Sequence, residues 1–170
     1  MSWYGLLTEI ETTSLSVWVR ESQSILVYPT ILIVHALGMG LLVGTAAAIN
    51  LRIFGFAPRI PLSALTALAP ILRLGFWLNA TSGLLLLAGF PTKHLTNPVF
   101  YLKIGFIVAA LLDTRWIFSG VVRSSFEPER VAMKGRMLAA VSLLLWFASI
   151  VAGKLLYYTF TRRDPFGNPY

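Results

Sequence analysis

The chain has 170 residues, of which 56% are hydrophobic and only 12% charged, and its mean hydropathy is +0.73. A soluble domain is about 25% charged, so this chain lacks the polar surface to cover an ordinary globule; a soluble enzyme, a disordered tail and a disulfide-stapled secreted module are excluded. The net charge of +7 reads as basic residues flanking apolar runs at a membrane face, and not as a nucleic-acid footprint, because no basic helix or aromatic stacking platform accompanies it.

Residues 1–24 mix Trp3, Tyr4, Leu6, Leu7, Ile10, Leu15, Val17 and Trp18 with acids and hydroxyls. This pattern predicts an amphipathic helix lying in the interface, with Trp3 and Trp18 at headgroup depth. Glu9, Glu11, Arg20 and Glu21 leave no basic leader region, so the segment is not a signal peptide. From Ser22 to Leu51 no residue is formally charged when His35 is neutral, which exceeds the roughly 20 residues that span hydrocarbon. A first span is expected over 27–51, with Pro29 near its start, where a helix tolerates proline. Gly55, Pro58 and Pro61 then mark a loop.

A second span is expected over 63–90, with Pro70 either kinking it or marking its true start. Pro91 to Pro98 reads as a short turn. The third span, 99–122, contains Lys103, Asp113 and Arg115; a charged loop follows, and the fourth span covers 133–158. The polar tail, 161–170, leaves the membrane. The expected fold is all-α: a four-helix membrane bundle (25–160) behind an N-terminal interfacial segment (1–24). Four spans put both termini on one side, here called the termini side. Lysines and arginines favour the opposite, loop side by seven (Arg52, Arg59, Arg115, Arg123, Arg130, Lys134, Arg136) to five (Arg20, Lys93, Lys154, Arg162, Arg163). The positive-inside rule then predicts a bacterial inner-membrane protein with periplasmic termini.

Lipid gives helices no hydrophobic reason to associate, so small residues mark close approach. Ala36, Gly40, Gly44 and Ala48 form one such seam on the first span. It serves either packing within the bundle or contact with another subunit, including a second copy. Further small residues are Gly75, Asn79 and Gly83 on the second span, Gly105 and Ala109 on the third, and Ser149 and Gly153 on the fourth.

The chemistry-bearing candidates are few. His35 lies inside the first span. It is read as a ligand of haem iron or a metal, as a proton relay, or as a histidine bonded to a neighbouring helix. His94, in the turn before the third span, is the secondary ligand candidate. Lys103 enters the membrane from the same side as His35. Its ammonium either snorkels to the surface or turns inward to bind an anion such as a carboxylate or a porphyrin propionate. Asp113 is expected to form a structural ion pair with Arg73, since a lone buried acid is costly. No nucleotide loop, paired catalytic carboxylates or hydrolase triad is present, and no catalytic residue is assigned.

The run Arg20-Glu21-Ser22, His35-Ala36-Leu37-Gly38, Asn50-Leu51-Arg52, with Thr81-Ser82-Gly83 and Asn97-Pro98-Val99-Phe100 before Lys103, resembles a family of uncharacterised bacterial four-helix membrane proteins. The resemblance extends to about Trp116 and departs at Asn50, where the family more often has aspartate. More distantly, His35 in an early helix and Lys103 in a later one are similar to the pattern of the copper-resistance D family and the haem-containing membrane protoporphyrinogen oxidases. That likeness implies a haem b or porphyrin pocket with His35 as axial ligand and Lys103 near a propionate. The other expectations are a cofactor-free structural or assembly subunit of a membrane complex, and a small transporter or metal-export accessory.

Overall fold

The computed structural model describes residues 3–22, 24–122 and 128–161. The polar tail from 162 onward, with Arg162 and Arg163, lies outside them, as do Arg123 and Glu127 of the third loop.

The described residues are helical throughout, with short connections. Two short helices, α1 (Trp3–Glu11) and α2 (Ser14–Glu21), precede the long α3 (Val27–Phe54). The end of α3 is closed by Gly55 in the left-handed region (φ 111). Its N–H reaches Arg52 O, and the Phe56 N–H reaches back to Leu51 O, the paired bonds that satisfy the last carbonyls of a helix. A 3₁₀ stretch (Leu62–Leu68) leads into α4 (Ala69–Gly89). Pro70 sits in the first turn of α4, where its missing N–H costs nothing; it therefore starts the helix and does not kink it. The expected turn holds one short helix, α5 (Pro91–Leu95). Asn97 caps α6 (Pro98–Trp116) by accepting from Val99 N–H at 3.0 Å, and α6 runs on in π-helical turns over Ile117–Val122. The last helix, α7, covers Pro128–Thr161.

Among the described residues three stretches are long and apolar enough to cross a membrane: Val27–Phe54, Leu62–Gly89 and Met133–Thr159, with mean hydropathies of 2.0, 1.5 and 2.0. Their outward faces carry exposed Leu37, Trp77, Leu84, Leu144 and Phe147, a surface that water would disfavour and lipid would not. The chain is accordingly membrane-embedded. The helix α6 is less apolar because of Lys103, Asp113 and Arg115. Its 19 residues extend about 28 Å.

In space the long helices follow the order α4, α3, α7, α6. The helix α3 packs along α4, α6 along α7, and α3 against α7, while α4 and α6 barely meet. The α3–α4 crossing is a backbone contact. A Cβ on Gly38 would lie 2.5 Å from Asn79 N, and one on Gly75 would lie 2.5 Å from Leu42 N. The glycines of the expected seam are elsewhere: Gly40 and Gly44 have nothing within 4 Å of a Cβ position, and with Ala36 and Ala48 they form an exposed stripe. Packing inside the bundle therefore uses Gly38, two residues from Gly40 and on another face of the helix.

The N-terminal helices do not simply lie on the surface. Leu7, Ser16 and Val19 are buried, and α1 and α2 dock on α5 and α4. Ser16 Oγ sits between the Ile10 and Ala88 carbonyls. Arg20 donates to Glu11 O at 2.9 Å and Gly89 O at 3.4 Å, and Glu11 Oε1 accepts from Thr92 N–H at 3.1 Å. This hairpin thus satisfies carbonyls at the C-terminus of α4, which the helix cannot satisfy internally. Trp18 and Leu15 remain on its exposed face, as an interfacial placement requires.

Candidate functional site

His35 projects from α3 toward α4. Its Nδ1 lies 3.1 Å from Asn79 O and 3.1 Å from Ser82 Oγ. A carbonyl only accepts, so Nδ1 carries the proton and donates. The Ser82 hydroxyl donates to Leu78 O at 2.5 Å. The Asn79 amide donates to the His35 carbonyl at 3.0 Å and stands 3.5 Å from each ring nitrogen, too long for a strong bond. Among the described residues the lone pair of Nε2 meets only that long contact. Gly83 makes room for the ring, since a Cβ there would come within 3.2 Å of His35 Cε1.

Lys103, on α6, folds its chain against α7 at Gly153. Its Nζ is 3.8 Å from where a Cβ of that glycine would stand. It lies within electrostatic reach of both His35 and His94. The latter, on α5, donates from Nδ1 to Phe90 O at 2.8 Å and sets its ring edge-on to Phe100. Burial holds the His94 pKa below its ordinary 6.5, and Lys93 and Lys103 add to that, against the opposing pull of the Phe90 carbonyl. Burial likewise lowers the Lys93 pKa; its ammonium stands 5.5 Å from the centre of the Phe90 ring.

Of the three residues singled out from sequence as cofactor-binding, Lys103 thus lies within electrostatic reach of His35 and of His94, while His35 packs on α4 and His94 on Phe90 and Phe100. Each histidine commits Nδ1 to a main-chain carbonyl, the arrangement that orients an imidazole for ligation through Nε2. Among the described residues no three of His, Cys, Asp and Glu converge as a metal site. Clefts open elsewhere on the described surface, away from His35. One, about 380 Å³, is apolar and lies on the α3–α7 flank at Val43, Ala47, Trp146 and Phe147. Another, about 760 Å³, lies under the N-terminal hairpin at Glu11, Arg20, Tyr28, Phe90 and Lys93.

The expected Arg73–Asp113 ion pair does not form. Asp113 is buried on α6, Arg73 is exposed on α4, and these helices stand at opposite ends of the packing order. Asp113 instead lies beside Ser142 of α7. No hydrogen bond of ordinary geometry joins them: among the described residues Asp113 Oδ2 and Ser142 Oγ have no partner, and the same holds for both polar atoms of the Asn50 side chain and for Trp146 Nε1. Asn79 was legible in the sequence as a small residue in a seam, not as the partner of His35. Asn50, Ser142 and Trp146 had no signal beyond being polar groups in apolar runs.

No protein-family model, no curated protein and no solved structure matches this chain.

Proposed function

We propose that this chain is a four-span bacterial inner-membrane protein that holds haem b, or another carboxylate-bearing porphyrin, for redox chemistry at the His35–Lys103–His94 site. One observation carries the reading: a histidine inside a span directs Nδ1–H to Asn79 O and leaves Nε2 available, with a half-buried lysine in electrostatic reach. The donor chemistry fits the group, with His35 Nε2 for iron and the Lys103 ammonium for a propionate. When bound, haem would supply one-electron transfer. The chain's own part is to fix the tautomer and direction of His35 through Asn79 and Ser82, and to neutralise a carboxylate in a low-dielectric site through Lys103. In this reading α6 also crosses the membrane, as the third of four spans, and the termini are periplasmic.

The absorption spectrum of the detergent-purified chain tests this. A Soret band is expected, absent in His35→Ala and mostly retained in His94→Ala. An unchanged band in His35→Ala would remove the ligand assignment.

A second reading, a cofactor-free structural or assembly subunit, is favoured by the close seating of the His35 ring against Asn79, Ser82 and Gly83. It predicts no Soret band in haem-supplied material, together with copurifying membrane subunits.

A further inference from the structure

The termini-side site leaves a second group of polar side chains unexplained, nearer the loop side. Two apolar clusters stack along the bundle. Leu42, Ala46, Ala110 and Trp146 form one; Ile49, Leu65 and Ile117, with Ile53 and Leu138 against them, form the other. Asn50 follows Ala46 by one turn, Asp113 lies between Ala110 and Ile117, and Ser142 lies between Leu138 and Trp146. The three therefore share one level between the clusters, each from a different helix.

All three are buried, with Asn50 1%, Asp113 4% and Ser142 0% exposed. Among the described residues Asn50 Oδ1, Asp113 Oδ2 and Ser142 Oγ have no hydrogen-bond partner. Buried polar atoms of native proteins are nearly always paired, so three oxygens at one level between apolar clusters, with Ser142 beside Asp113 but no bond of ordinary geometry to any of them, point to a bound group. Among the described residues no salt bridge to the carboxylate forms. Arg73 and Arg115 are exposed, Arg52 is tied to Ile60 O and Pro58 O in the first loop, and among the described residues the side chain that acts on Asp113 is the Ser142 hydroxyl.

We propose that Asn50, Asp113 and Ser142 form an intramembrane binding site for a small monovalent cation of the sodium class. The donors are hard oxygens, which suit alkali and alkaline-earth ions over transition metals. A single carboxylate neutralises one positive charge, so a monovalent ion leaves the level neutral where net charge in hydrocarbon is costly; a divalent ion would leave it charged. The Trp146 indole N–H is a donor and cannot ligate a cation. The same holds for the Asn50 amide N–H, so the cation's protein ligands are the oxygens alone. The site is independent of the haem reading: Asn50 and His35 are about 22 Å apart along α3.

The test uses the full chain in detergent at mildly alkaline pH. Its melting temperature is followed while sodium, lithium or potassium chloride replaces choline chloride at constant ionic strength, and bound ²²Na is counted by equilibrium dialysis. A saturable, sodium-selective stabilisation with one ion per chain is expected. Asp113→Asn should abolish it, and Ser142→Ala, which removes one neutral oxygen from an otherwise intact site, should weaken the midpoint roughly tenfold or more. Stabilisation equal in choline, or a sodium midpoint unmoved in Ser142→Ala, would overturn the proposal even where Asp113→Asn fails to fold. Stabilisation by acid alone, with no bound ²²Na, would assign the carboxyl a proton in place of a cation and overturn it equally.

Discussion

Replacing Gly38 with alanine should separate the two helices that hold His35. The added Cβ would stand 2.5 Å from Asn79 N, 2.9 Å from Leu78 C and 3.0 Å from Asn79 Cα. These are main-chain atoms and cannot rotate away. Non-bonded heavy atoms prefer separations near 3.5 Å, so α4 must retreat by about 1 Å at this level. Overpacking of this kind costs about 1–3 kcal/mol. The same displacement stretches the His35 Nδ1–Asn79 O and Asn79 Nδ2–His35 O bonds, now 3.1 and 3.0 Å, at about 1 kcal/mol each. Alanine's better helix propensity returns about 1 kcal/mol. The net loss is about 2–4 kcal/mol. Gly40→Ala is the internal control: it meets nothing within 4 Å and should be neutral or stabilising by up to about 1 kcal/mol. Detergent unfolding curves of the two variants, measured side by side, decide the matter. If Gly38→Ala is as stable as Gly40→Ala, the backbone contact between α3 and α4 is not as described.

Arg73→Leu and Asp113→Leu should have additive effects on melting temperature, because the residues share no contact; a double variant that recovers part of the loss would reinstate the ion pair. His94 binds a proton less readily in the folded chain than at its ordinary 6.5, so the unfolded state takes up more protons and stability falls as pH drops through about 6.5. In His94→Gln that acid-side loss should shrink, and an identical pH–stability curve would contradict the assignment. Ser16→Ala should cost about 1–2 kcal/mol and speed proteolysis between α1 and α3, since Ser16 ties the N-terminal hairpin to Ala88 O; unchanged proteolysis would mean the hairpin is held by its apolar contacts alone. A cysteine at exposed Thr12 should react with an impermeant thiol reagent from the periplasm and one at exposed Ser63 should not; the reverse pattern would invert the orientation.

The long helices were legible because uncharged runs bounded by proline and glycine leave little alternative. The first runs three residues past its expected end at Leu51, to Phe54, where Gly55 in the left-handed region terminates it. Pro70 was ambiguous in sequence, because kink and start differ only in whether the preceding residues can be helical; here they form a 3₁₀ stretch. The spatial order of the helices was not legible. With hydropathy alike on every face, a bundle sequence does not say which helices are neighbours, and the expected Arg73–Asp113 pair failed on that point. The choice between Gly38 and the Gly40–Gly44 stripe failed for a related reason: a regular four-residue spacing is a stronger pattern than one isolated glycine, but the backbone contact needs only one. At the candidate site, His35 and Lys103 stood out as polar groups in apolar helices. Asn79 and Ser82 did not, because short amides and hydroxyls are common in membrane helices and only the partner reveals the role. The docking of α1 and α2 was hidden for the same reason, since Ser16 and Arg20 work by meeting main-chain carbonyls 72 and 69 residues away.

The central claim is that His35 presents Nε2 to haem iron beside Lys103. Titrating the purified, cofactor-depleted chain with haem, while following the Soret region, tests it most directly when wild type, His35→Ala and Lys103→Gln are compared. The account predicts a shifted, saturating Soret band at one haem per chain in the wild type, no specific band in His35→Ala despite unchanged helical circular dichroism, and weakened binding with the band position retained in Lys103→Gln. Equal binding by wild type and His35→Ala, or no binding by a folded wild-type chain, would contradict it.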